Sequence, residues 1–162
     1  MLLKKLLKTK VYTSLGDSVG PLVDIYIDQD SWEIKYVMVS RGFGKQNKLI
    51  YPTNYLISTQ GKNLTILPEN VAENVADKEV KALLAGNQML GLEVLSNDDK
   101  PLGKLYDVDI SVSYKKWSLW KLLIRKGRKE RRLRLDASEI SEVKKQIKLK
   151  KALKEIEDAQ KA

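Results

Sequence analysis

The sequence predicts a mainly β protein: two small β barrels in tandem, a helical connector between them and a short C-terminal helix. Three observations predict it. The chain repeats itself: Val11, Val19, Gly20, Leu22, Asp24, Ile25 and Ile27 return 83 residues later as Val94, Leu102, Gly103, Leu105, Asp107, Val108 and Ile110. That period exceeds the roughly 20–50 residues of solenoid repeats, so it marks two domains, not an array. Short β-branched and aromatic runs recur every ~8–12 residues between turn residues, the spacing of small barrels and sandwiches. A length of 162 residues accommodates two domains of about 70–80 residues, each with a core modest enough to gain from outside packing. The expected boundaries are residues 1–76 for the first domain, 77–86 for the connector and 87–162 for the second domain with its helix.

Taken in order, Lys10–Thr13 reads as a short strand. Ser14-Leu15-Gly16-Asp17 is the turn after it, because Gly and Asp tolerate left-handed backbone. Pro21–Asp28 alternates, with Leu22, Asp24, Tyr26 and Asp28 on one side and Val23, Ile25 and Ile27 on the other. A turn at Asp30-Ser31 leads into Ile34–Val39, a run rich enough in β-branched residues to be a strand. Gly42–Asn47 is a loop, and Lys48–Tyr51 a short strand stopped by Pro52. Tyr55–Ser58 and Asn63–Leu67 flank Gln60-Gly61-Lys62 as a hairpin. Pro68–Gly86 changes character: Val71, Val75, Leu83 and Leu84 among good helix formers predict one or two short helices, with Asp77 as a cap and Gly86 as the stop.

The second half follows the same scheme. Leu92–Ser96, Gly103–Ser113, Trp117–Arg125 and Arg132–Leu135 read as strands, with a turn at Asn97–Pro101 and a loop at Lys126–Lys129. Taken alone, Ser138–Gln160 looks like one amphipathic helix, since Ile140, Val143, Ile147 and Ile156 fall at near-heptad spacing. The repeat argues against that, because Leu64 and Ile66 map onto Ile147 and Leu149, and Gln146–Leu149 alternates. Strands are therefore expected near Ile140–Val143 and Gln146–Leu149, with a helix over Lys151–Gln160.

Composition excludes whole classes of chemistry. Cysteine and histidine are both absent. Disulfides, thiol nucleophiles, thiolate metal sites and the commonest general base and metal ligand are thereby excluded. Both absences fit an intracellular protein, and no enzymatic activity, cofactor or small-molecule substrate is expected. No run nears the roughly 18 apolar residues of a membrane span, and the apolar stretch of Met1–Lys10 is too short for a secretory signal. The expected location is cytoplasmic, with peripheral attachment at a membrane as the other reading. Leu2, Leu3, Leu6 and Leu7 among lysines suit either a membrane-surface helix or a structural lead-in to the first strand; the repeat sets Leu6 and Leu7 against Met89 and Leu90 and favours the lead-in.

The net charge of +9 is uneven, +1 over residues 1–80 and +8 over residues 81–162. Its focus is the tract Lys121, Arg125, Lys126, Arg128, Lys129, Arg131, Arg132 and Arg134, opposed only by Glu130. Arginine matches phosphate oxygens with its planar fork, so RNA, an anionic membrane surface and an acidic protein all suit the tract. A solvated basic hairpin that serves solubility is the plain alternative. No aromatic residue lies among these cations after Trp120, which disfavours a single-strand stacking platform. Trp117 and Trp120 are expected in the core or an interface. Asp24, Asp28, Asp30, Asp107 and Asp109 read as turn and strand-end hydrogen-bonding groups rather than catalytic or metal-binding carboxylates. Gly42-Phe43-Gly44-Lys45 lacks the spacing of a phosphate loop.

The stretches Lys10–Gly20, Val23–Asp28 and Trp32–Val39 resemble the PRC-barrel family, and Glu93–Asp109 looks like a second copy, with Pro101-Leu102-Gly103-Lys104-Leu105-Tyr106-Asp107-Val108-Asp109 the nearer match. The resemblance implies a compact β barrel used as an adaptor or assembly module. Relatives of that kind work in ribosome maturation, in photosynthetic complexes and in archaeal cell division, where small members connect to the membrane anchor of the tubulin-like division ring. It implies protein partners, self-association among them, and a role in cell division or another membrane-associated assembly. The other reading is an RNA- or ribosome-associated factor acting through Lys121–Arg134.

Overall fold

Two β sheets with one strand order make up the chain. The structure is a computed structural model that describes residues 1–41, 48–59, 63–66, 77–113, 116–127 and 132–161. The first sheet contains β1 (Lys10–Thr13), β2 (Ser18–Ile27), β3 (Ile34–Ser40), β4 (Lys48–Pro52), β5 (Leu56–Thr59) and β6 (Asn63–Ile66) in the order β4-β3-β2-β1-β6-β5, with the short β7 (Leu84–Ala85) also against β2. The second contains β8 (Glu93–Leu95), β9 (Pro101–Ser113), β10 (Lys116–Arg125), β11 (Arg132–Asp136), β12 (Ile140–Val143) and β13 (Ile147–Leu149) in the order β11-β10-β9-β8-β13-β12. The helices are α1 (Leu3–Leu6), α2 (Asp77–Lys81), α3 (Gly86–Met89) and α4 (Leu153–Lys161). In each sheet the two outermost strands are joined by a single 3-10 turn of three residues, Thr53–Tyr55 or Ala137–Glu139. A sheet so connected has to curl back on itself. Contacts divide the chain into one unit of residues 1–87 with 110–118 and another of 88–109 with 119–162. Residues 110–118 thus cluster with the first unit, although the sequence places them in the second half.

The repeat survives in register. Val11 pairs antiparallel with Gly20 and parallel with Leu64; Val94 pairs antiparallel with Gly103 and parallel with Ile147. The turns after β1 and β8 share their hydrogen bonds. Thr13 N–H donates to Asp17 O at 2.8 Å and Asp17 N–H to Thr13 Oγ1 at 3.1 Å; Ser96 N–H donates to Lys100 O at 2.9 Å and Lys100 N–H to Ser96 Oγ at 3.0 Å. The left-handed position is Gly16 in one and Asp99 in the other. α1 and α3 stand at the same point before their sheets. Leu3, Leu6 and Met89 are each 0% exposed. Leu3 and Leu6 are therefore consumed inside the first unit while Leu2 stays exposed, and there the terminal ammonium donates to Ile110 O at 3.0 Å and Ile110 N–H returns a bond to Met1 O at 2.7 Å. No helix among the described residues is long and apolar enough to cross a membrane.

Two expectations are corrected. The alternation read over Pro21–Asp28 breaks: Leu22 and Ile25, assigned to opposite sides, are both fully buried. The pairing of β2 with β3 steps from Leu22–Val39 to Asp24–Met38, so Val23 is an extra residue and the inward face changes there. The Asp24 carboxylate accepts the Ile25 N–H at 2.8 Å and steadies the bulge. The second unit does the same, with Leu105 and Val108 both buried and Asp107 accepting the Val108 N–H at 2.9 Å. The described end of the connector also departs from the expected helix stop at Gly86. Residues 67–76 lie outside the described residues. Beyond them, Asp77 opens α2, Leu84–Ala85 pair with Ile27 and Tyr26, and Gly86 begins α3 instead of ending a helix. The glycine is required by packing: a Cβ at Gly86 would lie 2.5 Å from Ile25 Cγ1.

The C-terminal reading holds. β12 and β13 occupy the two expected strand positions and pair antiparallel, and α4 follows. The apparent heptad residues Ile140, Val143, Ile147 and Ile156 are all buried, but on three different elements. The expected Gln60-Gly61-Lys62 hairpin tip and the Gly42–Asn47 loop lie outside the described residues.

Candidate functional site

Five of the eight tract cations are described: Lys121, Arg125, Lys126, Arg132 and Arg134. Arg128, Lys129 and Arg131 lie outside the described residues. β10 and β11 hold the cations in antiparallel register, with Lys121 opposite Asp136, Leu123 opposite Arg134 and Arg125 opposite Arg132. Because side chains alternate along a strand, Arg132, Arg134 and Asp136 share the exposed face of β11, while Leu135 is buried.

The structure divides the tract into two ends of different character. At one end the charges are balanced. Lys121 forms an ion pair with Asp136, and Arg134 Nη2 lies 3.0 Å from Asp109 Oδ2. The same two cations flank Trp120: the Arg134 guanidinium is 5.4 Å and Lys121 Nζ 5.6 Å from the ring centre. Trp120 itself is 51% exposed, whereas Trp117 is buried. Each such cation contact at an exposed indole contributes about 0.5–1 kcal/mol toward holding the ring in place. At the other end Arg125 and Arg132 face each other directly, Lys126 is exposed beside them, and Arg132 stands 5.8 Å from the Tyr106 ring.

Sequence reading missed the Trp120 platform and its neutralising partners Asp109 and Asp136. One signal was present: in a strand Trp117 and Leu119 share a side and Trp120 takes the other. Asp24, Asp28 and Asp107 are structural hydrogen-bond acceptors. Asp24 Oδ1 also accepts the Asn87 N–H at 3.1 Å, and Asp28 Oδ1 accepts the Asp30 N–H at 2.8 Å. Among the described residues no three His, Cys, Asp or Glu side chains gather as a metal site. Asp98, in the β8–β9 turn, serves α4: it accepts the Ser96 hydroxyl and, at 3.0 Å, the Leu153 N–H. The Ser96 hydrogen bond first, then the Leu153 amide, hold its carboxyl below the ordinary aspartate value.

Fold and site together define a mainly β protein that presents an ordered sheet face with an aromatic centre and a cationic end. Residues 1–70 match the family model of the PRC-barrel domain, so the first part of the chain carries a PRC-barrel domain. The match ends at residue 70; the second sheet repeats the strand order of the first. No curated protein matches the chain.

Proposed function

We propose that the protein is a non-enzymatic adaptor that assembles a protein complex, and that its second half is a second copy of the PRC-barrel domain. The observation that carries the adaptor reading is Trp120, half exposed with the Arg134 guanidinium and the Lys121 ammonium against its ring. Trp and Arg dominate binding hot spots, and a side chain already ordered loses little entropy on association. Asp109 and Asp136 cancel the neighbouring cations, which suits a protein surface better than a phosphate backbone. Partners include further copies of this chain. A cell-division or other membrane-associated assembly is the setting we favour, on the family resemblance.

One observation favours a second reading, an RNA- or ribosome-associated factor: the opposed Arg125 and Arg132 at the cationic end. Pulldown of the full chain with mass spectrometry, before and after nuclease, separates the two. For an adaptor the partner survives nuclease, and Trp120→Ala weakens its capture by about tenfold or more. For an RNA-associated factor nuclease removes the partner, affinity falls steeply with salt, and joint Arg125→Glu and Arg132→Glu substitution abolishes capture.

A further inference from the structure

Little holds α4 to the second unit. Of its nine residues only Ile156 is buried, Leu153 is half-buried, and Glu157–Lys161 are all exposed. At its first turn the Leu153 N–H donates to Asp98 Oδ1 at 3.0 Å. Nine residues are too few for a helix to stand alone in water, so α4 forms because it docks, and a dock this small opens locally while the sheet stays folded. Leu153, Ile156 and Gln160 follow i, i+3 and i+7 and make one seam. Ile156 and Gln160 line grooves on both sides of it, one of about 790 Å³ that reaches Leu102 and Leu133, the other of about 210 Å³ that reaches Leu135 and Leu149. The seam thus has three positions beside apolar side chains of the sheet, and α4 fills the third with a polar residue. We infer that α4 is the displaceable occupant of a helix-receiving face, and that the face takes an amphipathic helix of a partner protein with apolar residues at i, i+3 and i+7; the inference rests on the adaptor reading.

The helix already seated there selects the occupant. Glu157 and Lys161, four apart, line the wider groove and Ala159 the narrower, so α4 stands between the two with its seam toward the sheet. The face therefore accepts a helix that presents apolar side chains one turn apart, the pattern by which grooves read amphipathic helices. An extended segment would turn successive side chains to opposite sides and miss the seam. The α4 of a second copy is not the occupant. It carries the same Gln160 and gains nothing over the tethered helix, whose effective concentration is of roughly millimolar order. A helix with Leu at the third position has an advantage over both, because it buries apolar surface there that Gln160 does not. Lys121 and Arg134, the two cations against Trp120, also line the narrower groove, so a partner helix seated there adjoins the surface on which the adaptor reading stands.

The test uses the full chain, hydrogen exchange read by NMR, and two fluorescein-labelled peptides of residues 151–162, one of native sequence and one carrying Gln160→Leu. Amides of α4 should be at least about tenfold less protected than those of Ile147 and Leu149. Gln160→Leu in the chain should raise α4 protection about fivefold, and Ile156→Ala should lower it about tenfold or more. By fluorescence anisotropy the Ile156→Ala chain, its own helix loosened, should bind the Gln160→Leu peptide about fivefold tighter than the native one. Should Ile156→Ala unfold the chain, Asp98→Ala loosens the helix in its place. Protection of α4 equal to that of the sheet, no gain in protection from Gln160→Leu, equal binding of the two peptides, or binding of neither overturns the inference. A nuclease-resistant partner captured equally by the wild-type and Gln160→Leu chains removes the helix-receiving face and leaves the adaptor standing. Absence of any nuclease-resistant partner removes the adaptor reading, whatever α4 does.

Discussion

Gly103 and Gly20 occupy places where a side chain has no room. A Cβ on Gly103 would lie 2.6 Å from the carbonyl oxygen of Arg125, and one on Gly20 1.8 Å from that of Ser40, both at positive φ. Gly103→Ala is therefore expected to destabilise the protein by about 3 kcal/mol or more, combining backbone strain with a backbone clash. The midpoint of chemical denaturation checks it, with Gly91→Ala as a comparison, since open space surrounds Gly91 and only its φ is strained. The recurrence of this glycine was legible in the sequence as a repeat. Its cause was not, because the atom it avoids belongs to a strand 22 residues away in the chain. Trp120 was hidden for a related reason: identity alone does not tell which face of a strand a tryptophan takes, and Trp117 and Trp120 take opposite ones.

At the scale of elements, bulges decided what the sequence pattern revealed. Leu22 and Ile25 are three apart, as are Ile140 and Val143, and an unbroken strand would turn each pair to opposite sides. A register step between them returns both members to the interior. The same spacing imitates a helix, which is why Ser138–Gln160 read alone as one. The repeat resolved it because the internal pairing partners of the first copy required two strands there. α4 offers a test at this scale. Asp98 has a lowered folded-state pKa, so its contribution is present above the unfolded aspartate pKa and is lost as pH falls through the folded one. Backbone NMR shifts of α4 are expected to lose helical character on acidification through that window. Asp98→Ala should fray the first turn at neutral pH and flatten the acid response. An unchanged first turn in that variant would show that the Leu153 amide is satisfied without the carboxylate.

At the scale of the molecule, the two sheets keep one strand order, while the net charge is +1 over residues 1–80 and +8 over residues 81–162. The shared strand order was legible as a sequence repeat, and so was the cationic tract. Its division, with a charge-balanced aromatic end, was not, since Asp109 reaches Arg134 only through the sheet. That division directs the functional reading toward a protein partner. The most direct measurement places a photo-crosslinking benzoylphenylalanine at position 120 of the full chain and irradiates it in cells. An adaptor gives a discrete protein adduct that nuclease leaves intact; a nucleic-acid adduct, or no adduct at all, would contradict the account.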